Sequence, residues 1–304
     1  MKYNFCMICD KLFLPNLLVL IDTLKNQKIY ILCLDEYTYD YLNNKKFKKK
    51  IHLYKKKIIE KNYLLKNKNK NPYYVFLLKV IFIHYIFDKI LKKNNFIIYL
   101  DSDICFFSPI KNFINYLDKK YSIFITPHNF NKKIANNIKY GKFNAGFIAF
   151  KKDLFSKEAL IWWMKSCIKN CTIDLDRNLV GDQYYLNSFP KKFKKLYIFN
   201  NLGVNCAPWN VENDKLYYKK NKFCVGASDL VFFHFQGLRR IVYNMYYTNF
   251  SAYKINQIPS LIKLYNMYLN KIDKKRKILP DFNSKLNFKI AVKAFYHNDY
   301  ILVK

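Results

Sequence analysis

The stretch Phe96-Ile97-Ile98-Tyr99-Leu100 is followed directly by Asp101-Ser102-Asp103. The five apolar or aromatic residues predict a strand that is buried on both faces. In open α/β sheets, ligands bind beyond the carboxyl ends of the strands, so both carboxylates are expected at a binding crevice. An isolated Asp-x-Asp is more often a solvated turn or a helix cap. After a wholly apolar strand, the pair instead predicts a site for a hard divalent cation.

The flanking sequence alternates between strand and helix patterns. Apolar runs at Tyr3–Cys9 and 28–34 enclose a helical apolar spacing over 12–24, which is typical of parallel α/β units. Residues 35–71 predict a helix followed by a mobile excursion, and residues 73–91 predict a second helix. Later strands are predicted at 122–126, 147–150, 196–199 and 230–235, with a helix at 154–169. We expect a single α/β domain with a mixed central sheet flanked by helices over residues 1–240, and a helical, basic and aromatic extension over 241–304.

The composition is that of a folded protein with a large excess of positive charge. Of 304 residues, 51% are hydrophobic, which excludes intrinsic disorder. There are 54 Lys and Arg against 21 Asp and Glu, a formal net charge of +33. One interpretation is an anionic partner: nucleic acid, an acidic membrane or a phosphate-bearing substrate. The other interpretation is drift of the gene towards AT-rich codons, and the scattered positions of the Lys residues support it.

The cysteines and the apolar segments indicate a cytoplasmic protein. Eight Cys in a chain of this length exclude a small disulfide scaffold, and we expect them to be reduced. Cys6 and Cys9 have the spacing of half a zinc site, but no second half follows. The first nine residues do not have the pattern of a secretory signal, and residues 73–91 contain too many polar side chains for a spanning helix. Peripheral contact with an anionic membrane remains open.

Glycine and arginine are scarce, so the positions where they remain are informative. All six Gly lie at positions 141, 146, 181, 203, 226 and 237, and two of the four Arg are adjacent, at 239 and 240. Gly is required where the backbone takes a positive φ or passes close to a ligand. The positions of Gly and Arg therefore predict that residues 141–240 include functional residues.

A second candidate group follows the predicted strand at 230–235. His234 is followed at three-residue steps by Gly237 and Arg240. Imidazole is a metal ligand, and guanidinium forms strong hydrogen bonds with phosphate. A hydrogen-bonded core histidine is the alternative. The spacing fits a third metal ligand next to a phosphate-binding arginine.

Two shorter motifs place small and polar residues where a ligand could approach. Asn144 and Gly146 lead into a predicted strand, and the Asn144 carboxamide offers both donors and acceptors. Gly181-Asp182-Gln183 begins a predicted helix, where a cap is the alternative function.

Taken together, these motifs resemble the GT-A nucleotide-sugar glycosyltransferases, in particular those related to glycosyltransferase family 8. The resemblance runs from Tyr3 to Arg240 and rests on motifs in the expected order: Leu-Pro at 14–15, Tyr-Leu-Asp-Ser-Asp at 99–103, Phe-Asn-Ala-Gly at 143–146, Gly-Asp-Gln at 181–183 and His-x-x-Gly-x-x-Arg at 234–240. A closer likeness is to bacterial proteins regarded as sugar transferases, through Ile-Thr-Pro-His at 125–128 and Ala-Pro-Trp-Asn at 207–210. The implied fold is the GT-A (Rossmann-like) domain.

The resemblance implies a role for each matching residue. Residues that would bind a divalent metal, Mn²⁺ or Mg²⁺, are Asp101, Asp103 and His234. Residues that would contact the nucleotide-sugar donor are Asp10, Asp101, Asn144, Gly146 and Gly237. Catalytic residues would be Asp182, Gln183 and Arg240, the last where family 8 usually has Lys. Lys79 matches a phosphate contact poorly.

The implied reaction is transfer of a sugar from a nucleotide-diphosphate donor, with a UDP-sugar favoured, to a hydroxyl of a saccharide or lipid-linked acceptor. The resemblance further implies bacterial surface polysaccharide or lipopolysaccharide synthesis, and retention at the anomeric carbon. Inversion, with Asp182 as general base, stays open. A basic nucleic-acid-binding protein and a metal-dependent phosphohydrolase are the alternatives. The ordered motifs argue against nucleic acid as the partner, because such binding needs no pair of aspartates at a strand end.

Overall fold

The computed structural model describes residues 2–44, 50–65, 73–117, 120–176, 179–279 and 288–303. The strands are β1 Tyr3–Cys9, β2 Lys28–Cys33, β3 Ile51–Lys55, β4 Phe96–Leu100, β5 Ile104–Phe106, β6 Ile123–Pro127, β7 Phe143–Lys151, β8 Ile173–Asp174, β9 Leu179–Val180, β10 Leu196–Ile198, β11 Leu216–Lys219, β12 Lys222–Val225, β13 Ser228–Asp229, β14 Phe232–His234, β15 Arg239–Val242, β16 Met245–Tyr247 and β17 Tyr300–Leu302. The α-helices are α1 Leu14–Thr23, α2 Glu36–Asn44, α3 Lys56–Asn62, α4 Tyr74–Tyr85, α5 Ile110–Asn115, α6 Leu154–Lys169, α7 Phe189–Lys192, α8 Pro259–Lys277 and α9 Phe288–Tyr296.

The centre of the fold is a seven-stranded sheet, counted within the described residues, with strand order β10-β6-β7-β4-β1-β2-β3. β7 runs antiparallel to its neighbours β4 and β6. The other neighbouring strands pair in parallel. The mixed sheet of the predicted α/β domain is therefore confirmed.

β4 shows why the strand that decides the fold contains no polar residue. Ile97 and Tyr99 pack into a core formed with α4 and α6. Phe96, Ile98 and Leu100 point to the opposite face and pack into a core with α1. All five side chains are fully buried. Each contributes about 1.5–3 kcal/mol by burial, so a polar residue at either face would be costly.

The stretch after β2 differs from its prediction. Residues 35–71 contain α2 and then β3 and α3; the predicted excursion at 45–49 and 66–71 lies outside the described residues. β3 pairs with β2 at the edge of the sheet, and its five residues are only half-buried. An edge strand tolerates Lys and His, and for this reason its polar sequence did not predict a strand.

The segment after residue 240 is helical only in part. α8 packs on α1, where Asn16 Nδ2 donates to the Tyr268 hydroxyl at 3.0 Å. Strands β15, β16 and β17 form an antiparallel sheet, and β15 crosses the predicted boundary at residue 240. The prediction of a wholly helical extension needs this correction. The three strands have only three or four residues each, too few for a clear alternating pattern.

Candidate active site

A cavity of about 830 Å³ opens at the carboxyl ends of β1 and β4. This volume lies in the range of small-molecule binding sites. Among the described residues, its lining includes these Asp, Lys, His and Arg side chains: Asp10, Lys79, Asp101, Asp103, His128, Asp182, His234 and Arg239. The cavity therefore combines carboxylates with cationic groups, as an anionic substrate held through a metal ion would require.

The three side chains predicted to bind a metal come together at this cavity. Asp101 and Asp103 follow β4, while β14 pairs with β5 and so places His234 opposite Ile104. His234 Nε2 lies 3.1 Å from Asp103 Oδ1 and 3.9 Å from Asp101 Oδ2. One donor atom from each residue lies within 4.8 Å of the other two. Two carboxylates and an imidazole nitrogen are a donor set that suits Mn²⁺, and less closely Mg²⁺.

The charges of this cluster are strongly coupled. Burial lowers the pKa of His234, but the carboxylates of Asp103 and Asp101 outweigh burial and raise that pKa above its ordinary value. Burial opposes ionisation of Asp103 too, but the His234 imidazole and then Arg239 lower the pKa of Asp103 below its ordinary value. The site is therefore built to hold positive charge between its carboxylates, which a bound cation would supply.

Lys79 is the residue that sequence reasoning undervalued. Its side chain leaves the middle of α4 and is almost completely buried. Lys79 Nζ lies 2.9 Å from Asp182 Oδ2 and 3.9 Å from Asp101 Oδ1, and it donates to the Ala145 carbonyl at 3.3 Å. Burial lowers the pKa of Lys79, but the carboxylates of Asp101 and Asp182 reverse this effect and raise it. The sequence signal that could have identified Lys79 is its position as a single Lys within an apolar helix.

Asp182 lines the cavity and is almost completely buried. Burial raises the pKa of Asp182 above its ordinary value, and the Lys79 ammonium opposes that rise only in part. Its backbone carbonyl accepts a hydrogen bond from Trp163 Nε1 at 2.8 Å. Asp182 is thus a fixed carboxylate, held by α4 and α6 rather than by solvent.

The carboxamides of Asn144 and Gln183 are held by protein groups. Asn144 Oδ1 accepts from Gly146 N at 3.0 Å and from Asn205 Nδ2 at 3.2 Å. Gln183 Oε1 accepts from Asn144 Nδ2 at 3.2 Å and from Ala145 N at 3.0 Å. These bonds occupy both acceptor positions of each carboxamide oxygen. The two side chains therefore fix the path of β7 beside the candidate metal ligands.

An aromatic wall, formed by His128 and Trp209, completes one side of the cavity. His128 Nδ1 lies 2.8 Å from the Gly141 carbonyl, which can only accept, so Nδ1 carries the proton. Burial lowers the pKa of His128 to about 3, and the imidazole is neutral. The Trp209 ring meets the rings of His128 and His234 edge-to-face, each at 5.2 Å between centroids. In the sequence, both residues stand out only as parts of the family resemblance.

Gly146 is explained by its distance from His234. A Cβ atom at this position would lie 2.5 Å from His234 Cε1 and 2.8 Å from Asn144 Oδ1. Such distances are too short for non-bonded atoms, and β7 and the imidazole can approach this closely only because residue 146 has no side chain. Gly237, also predicted to bind the donor, is not among the cavity residues. Its φ of +85° and its contact with Asn249 account for glycine there.

The two adjacent arginines occupy different environments. Arg239 lines the cavity, and its guanidinium lies 5.0 Å from the centre of the Phe13 ring. Arg240, the predicted catalytic residue, is not in the lining, and its Nε donates to the Tyr243 carbonyl at 2.6 Å. Neighbouring residues of a strand point to opposite faces, so the start of β15 presents Arg239 to the cavity and turns Arg240 away.

Asp10 lies at the rim of the cavity, directly after β1. Its Oδ1 accepts a hydrogen bond from Phe13 N at 3.0 Å. Burial raises the pKa of Asp10, and backbone N–H groups oppose the rise. Of the ten predicted site residues, the cavity lining contains Asp10, Asp101, Asp103, Asn144, Gly146, Asp182, Gln183 and His234.

No model of a known protein family matches the chain. The chain is 26% identical over 297 residues to "Uncharacterized protein YfnD" of Bacillus subtilis (strain 168), covering 92% of this chain and 93% of YfnD. It is 27% identical over 257 residues to "Uncharacterized protein YfnF" of the same organism, covering 80% of this chain and 84% of YfnF. The similarity to YfnD therefore extends into the segment after residue 240.

Among solved structures, the chain is similar to mouse xyloside xylosyltransferase 1, with 13% identity, a TM-score of 0.49 and coverage of 78% of this chain and 98% of that one. It is also similar to the galactosyltransferase LgtC in complex with donor and acceptor sugar analogues, with 13% identity, a TM-score of 0.49 and coverage of 77% and 87%. Within the described residues, no helix is both long enough and apolar enough to cross a membrane.

Proposed function

We propose that the protein is a metal-dependent GT-A glycosyltransferase that moves a sugar from a nucleotide-diphosphate donor to an acceptor hydroxyl. One observation carries the proposal: Asp101, Asp103 and His234 present donor atoms within 4.8 Å of one another at a cavity of about 830 Å³. Such a cavity has room for a nucleotide sugar. The site combines hard oxygen ligands with a mouth that carries a guanidinium, which suits a diphosphate.

The leaving group of this reaction is an anion, so its stabilisation dominates the barrier. A divalent cation, Mn²⁺ in preference to Mg²⁺, would serve there as a Lewis acid. Arg239 lies at the cavity surface, where its guanidinium can bind a departing phosphate through charge-assisted hydrogen bonds. This role replaces the one that the sequence alone suggested for Arg240.

The reacting sugar would lie above Asp182 and Gln183. Asp182 is held by Lys79 at 2.9 Å, and its negative charge can stabilise a developing oxocarbenium ion without reorganisation. Gln183 Oε1 is occupied by two N–H donors, so Gln183 positions β7 and does not act as a nucleophile. We propose retention at the anomeric carbon, because the Lys79 ammonium occupies the Asp182 carboxylate at 2.9 Å, so this carboxylate is not free to accept a proton from an acceptor hydroxyl.

We further propose a UDP-sugar as the donor and a saccharide or lipid-linked acceptor in bacterial surface polysaccharide or lipopolysaccharide synthesis, at the inner face of the membrane. Asp10 at the rim of the cavity would contact the nucleoside. The carboxylates of Asp101 and Asp103 beside His234 favour a metal-bound diphosphate as the ligand. A nucleic-acid backbone would be bound by basic side chains and would need no carboxylates.

The test is a panel of nucleotide sugars, with release of nucleoside diphosphate and transfer to saccharide acceptors measured with Mn²⁺ and with chelator. Thermal shifts identify the donor, because ligand binding to the native state raises apparent stability. We expect Asp103→Asn and His234→Gln to abolish the Mn²⁺-dependent reaction, and Asp88→Asn, a surface control, to leave it unchanged. Turnover of a phosphodiester in place of the sugar nucleotides, or full activity with chelator, would overturn the proposal.

A further inference from the structure

The outer face of α9 carries large apolar side chains. Phe288 is 72% exposed, Phe295 57% and Tyr296 83%. The inner face of the same helix has the small residues Ala291 and Ala294, which are buried against Ile241. A surface helix usually has its large apolar residues inside and its polar residues outside. In α9, by contrast, the large apolar side chains lie on the outer face and the small ones on the inner face.

The apolar face continues from α9 onto β17. The Phe295 ring lies 5.4 Å from the Tyr300 ring. Leu302 shares the face of β17 with Tyr300, because side chains two residues apart in a strand lie on one face, and it is 51% exposed. Val292, one turn before Phe295, is 52% exposed. We call this surface the α9 surface, and it consists of Phe288, Val292, Phe295, Tyr296 and Leu302.

Positive charge borders the α9 surface. Lys289 and Lys293 are exposed, lie one turn apart and follow the apolar stripe around the helix. An exposed aromatic stripe next to lysines is the composition of a helix that lies in a membrane interface.

The charge also decides between possible occupants. A second copy of this chain would bring a second set of the same lysines, on a protein of net charge +33, against the first. Nucleic acid would stack on aromatic rings, but Val292 and Leu302 offer no ring. An anionic lipid surface fits both the lysines and the apolar side chains, because its phosphates pair with the lysines and its acyl region accepts the apolar groups.

We propose that the α9 surface is the site at which the protein binds an anionic lipid bilayer, with the aromatic side chains inserted at the headgroup boundary. This inference rests on the membrane contact in the proposed function and names the surface that makes it. β15, against which α9 packs, begins with Arg239 at the cavity. The elements that bind the bilayer would therefore be the ones that carry Arg239 at the rim of the cavity.

The test is co-sedimentation with vesicles of phosphatidylcholine and phosphatidylglycerol, compared with vesicles of phosphatidylcholine alone. We expect salt-sensitive binding to the anionic vesicles only. Replacing Phe295 and Tyr296 by Ser removes two inserted rings and should weaken binding about tenfold or more. A second double variant, Lys289→Glu with Lys293→Glu, should also bind less.

Matched controls lie on α6. Leu154→Ser removes an apolar side chain that is 81% exposed, and Lys165→Glu with Lys169→Glu repeats the charge change with the same four-residue spacing. Both controls should bind vesicles like the parent protein. Equal binding by the α9 variants and the parent, equal losses in the α6 controls, or binding to neutral vesicles would overturn the proposal. The proposal would also be overturned if the parent protein were a dimer and replacement of Phe295 and Tyr296 dissociated it. In that case the α9 surface would bind a second copy of the chain.

Turnover of free nucleotide sugar, without vesicles, separates this proposal from the proposed function. The α9 variants should keep that turnover and their thermal unfolding temperature while losing vesicle binding. Vesicle binding that depends on the α9 surface in a protein that turns over no nucleotide sugar would leave the docking surface standing and remove the proposed reaction.

Discussion

The ammonium of Lys79 lies 2.9 Å from a carboxylate oxygen of Asp182, and both side chains are almost completely buried. Lys79 also lies 3.9 Å from Asp101, a candidate metal ligand. The pair therefore joins the candidate metal ligands to the position proposed for the reacting sugar. Neither residue can change without leaving a buried charge behind.

Lys79→Met should reduce the free energy of unfolding by about 3–5 kcal/mol, because it leaves Asp182 charged and without its buried partner. The double variant Lys79→Met with Asp182→Asn should recover part of this loss. Urea unfolding measures both effects. Lys55→Met, which breaks the exposed ion pair with Glu36, is the control and should change stability little. A loss for Lys79→Met no larger than that of this control would contradict the coupling.

Stability should fall below pH 6.5 because of His128. Its pKa is about 3 in the folded state against 6.5 as the ordinary value, so between these limits the unfolded state binds the additional proton. Between pH 8 and pH 5, this residue should cost about 2 kcal/mol of unfolding free energy. His128→Gln removes that contribution, so urea unfolding of the variant should show a pH dependence smaller by this amount. The same pH dependence in both proteins would show that His128 is not held neutral.

Gly146→Ala should weaken Mn²⁺ binding about tenfold or more, since the added Cβ would lie 2.5 Å from His234 Cε1 and displace the imidazole. Calorimetric titration with Mn²⁺ measures the affinity. In Gly141→Ala, the control, the nearest atoms lie 3.6 Å from the added Cβ, but φ is +107°. That variant should lose about 1–3 kcal/mol of stability by backbone strain and keep its Mn²⁺ affinity. Unchanged affinity in Gly146→Ala would argue that His234 is not a ligand.

Arg239→Met should lower turnover of the nucleotide sugar about tenfold or more, because a guanidinium is lost from the cavity where the leaving phosphate would lie. Arg240→Met, one residue later, is the matched control and should keep the parent's turnover. Steady-state kinetics of the two variants separate the assignments. The opposite order of losses would return the catalytic role to Arg240.

Much of the fold follows from local sequence. β4 is wholly apolar because both its faces are covered, and a run of this kind predicts a buried strand without knowledge of its neighbours. β3 could not be predicted in the same way, because an edge strand needs no continuous apolar run. The strands after residue 240 are shorter still, and their buried residues pack against α8 and α9.

The sequence by itself determined the chemistry at the end of β4: two aspartates after a buried strand, at the edge of the sheet where ligands bind. Tertiary structure decided which distant residues join them. The antiparallel pairing of β14 with β5 brings His234 to Asp103, and the depth of α4 brings Lys79 to Asp182. It also decided between Arg239 and Arg240, because the face of a strand to which a side chain points depends on strand register, which the spacing of residues along the chain does not specify.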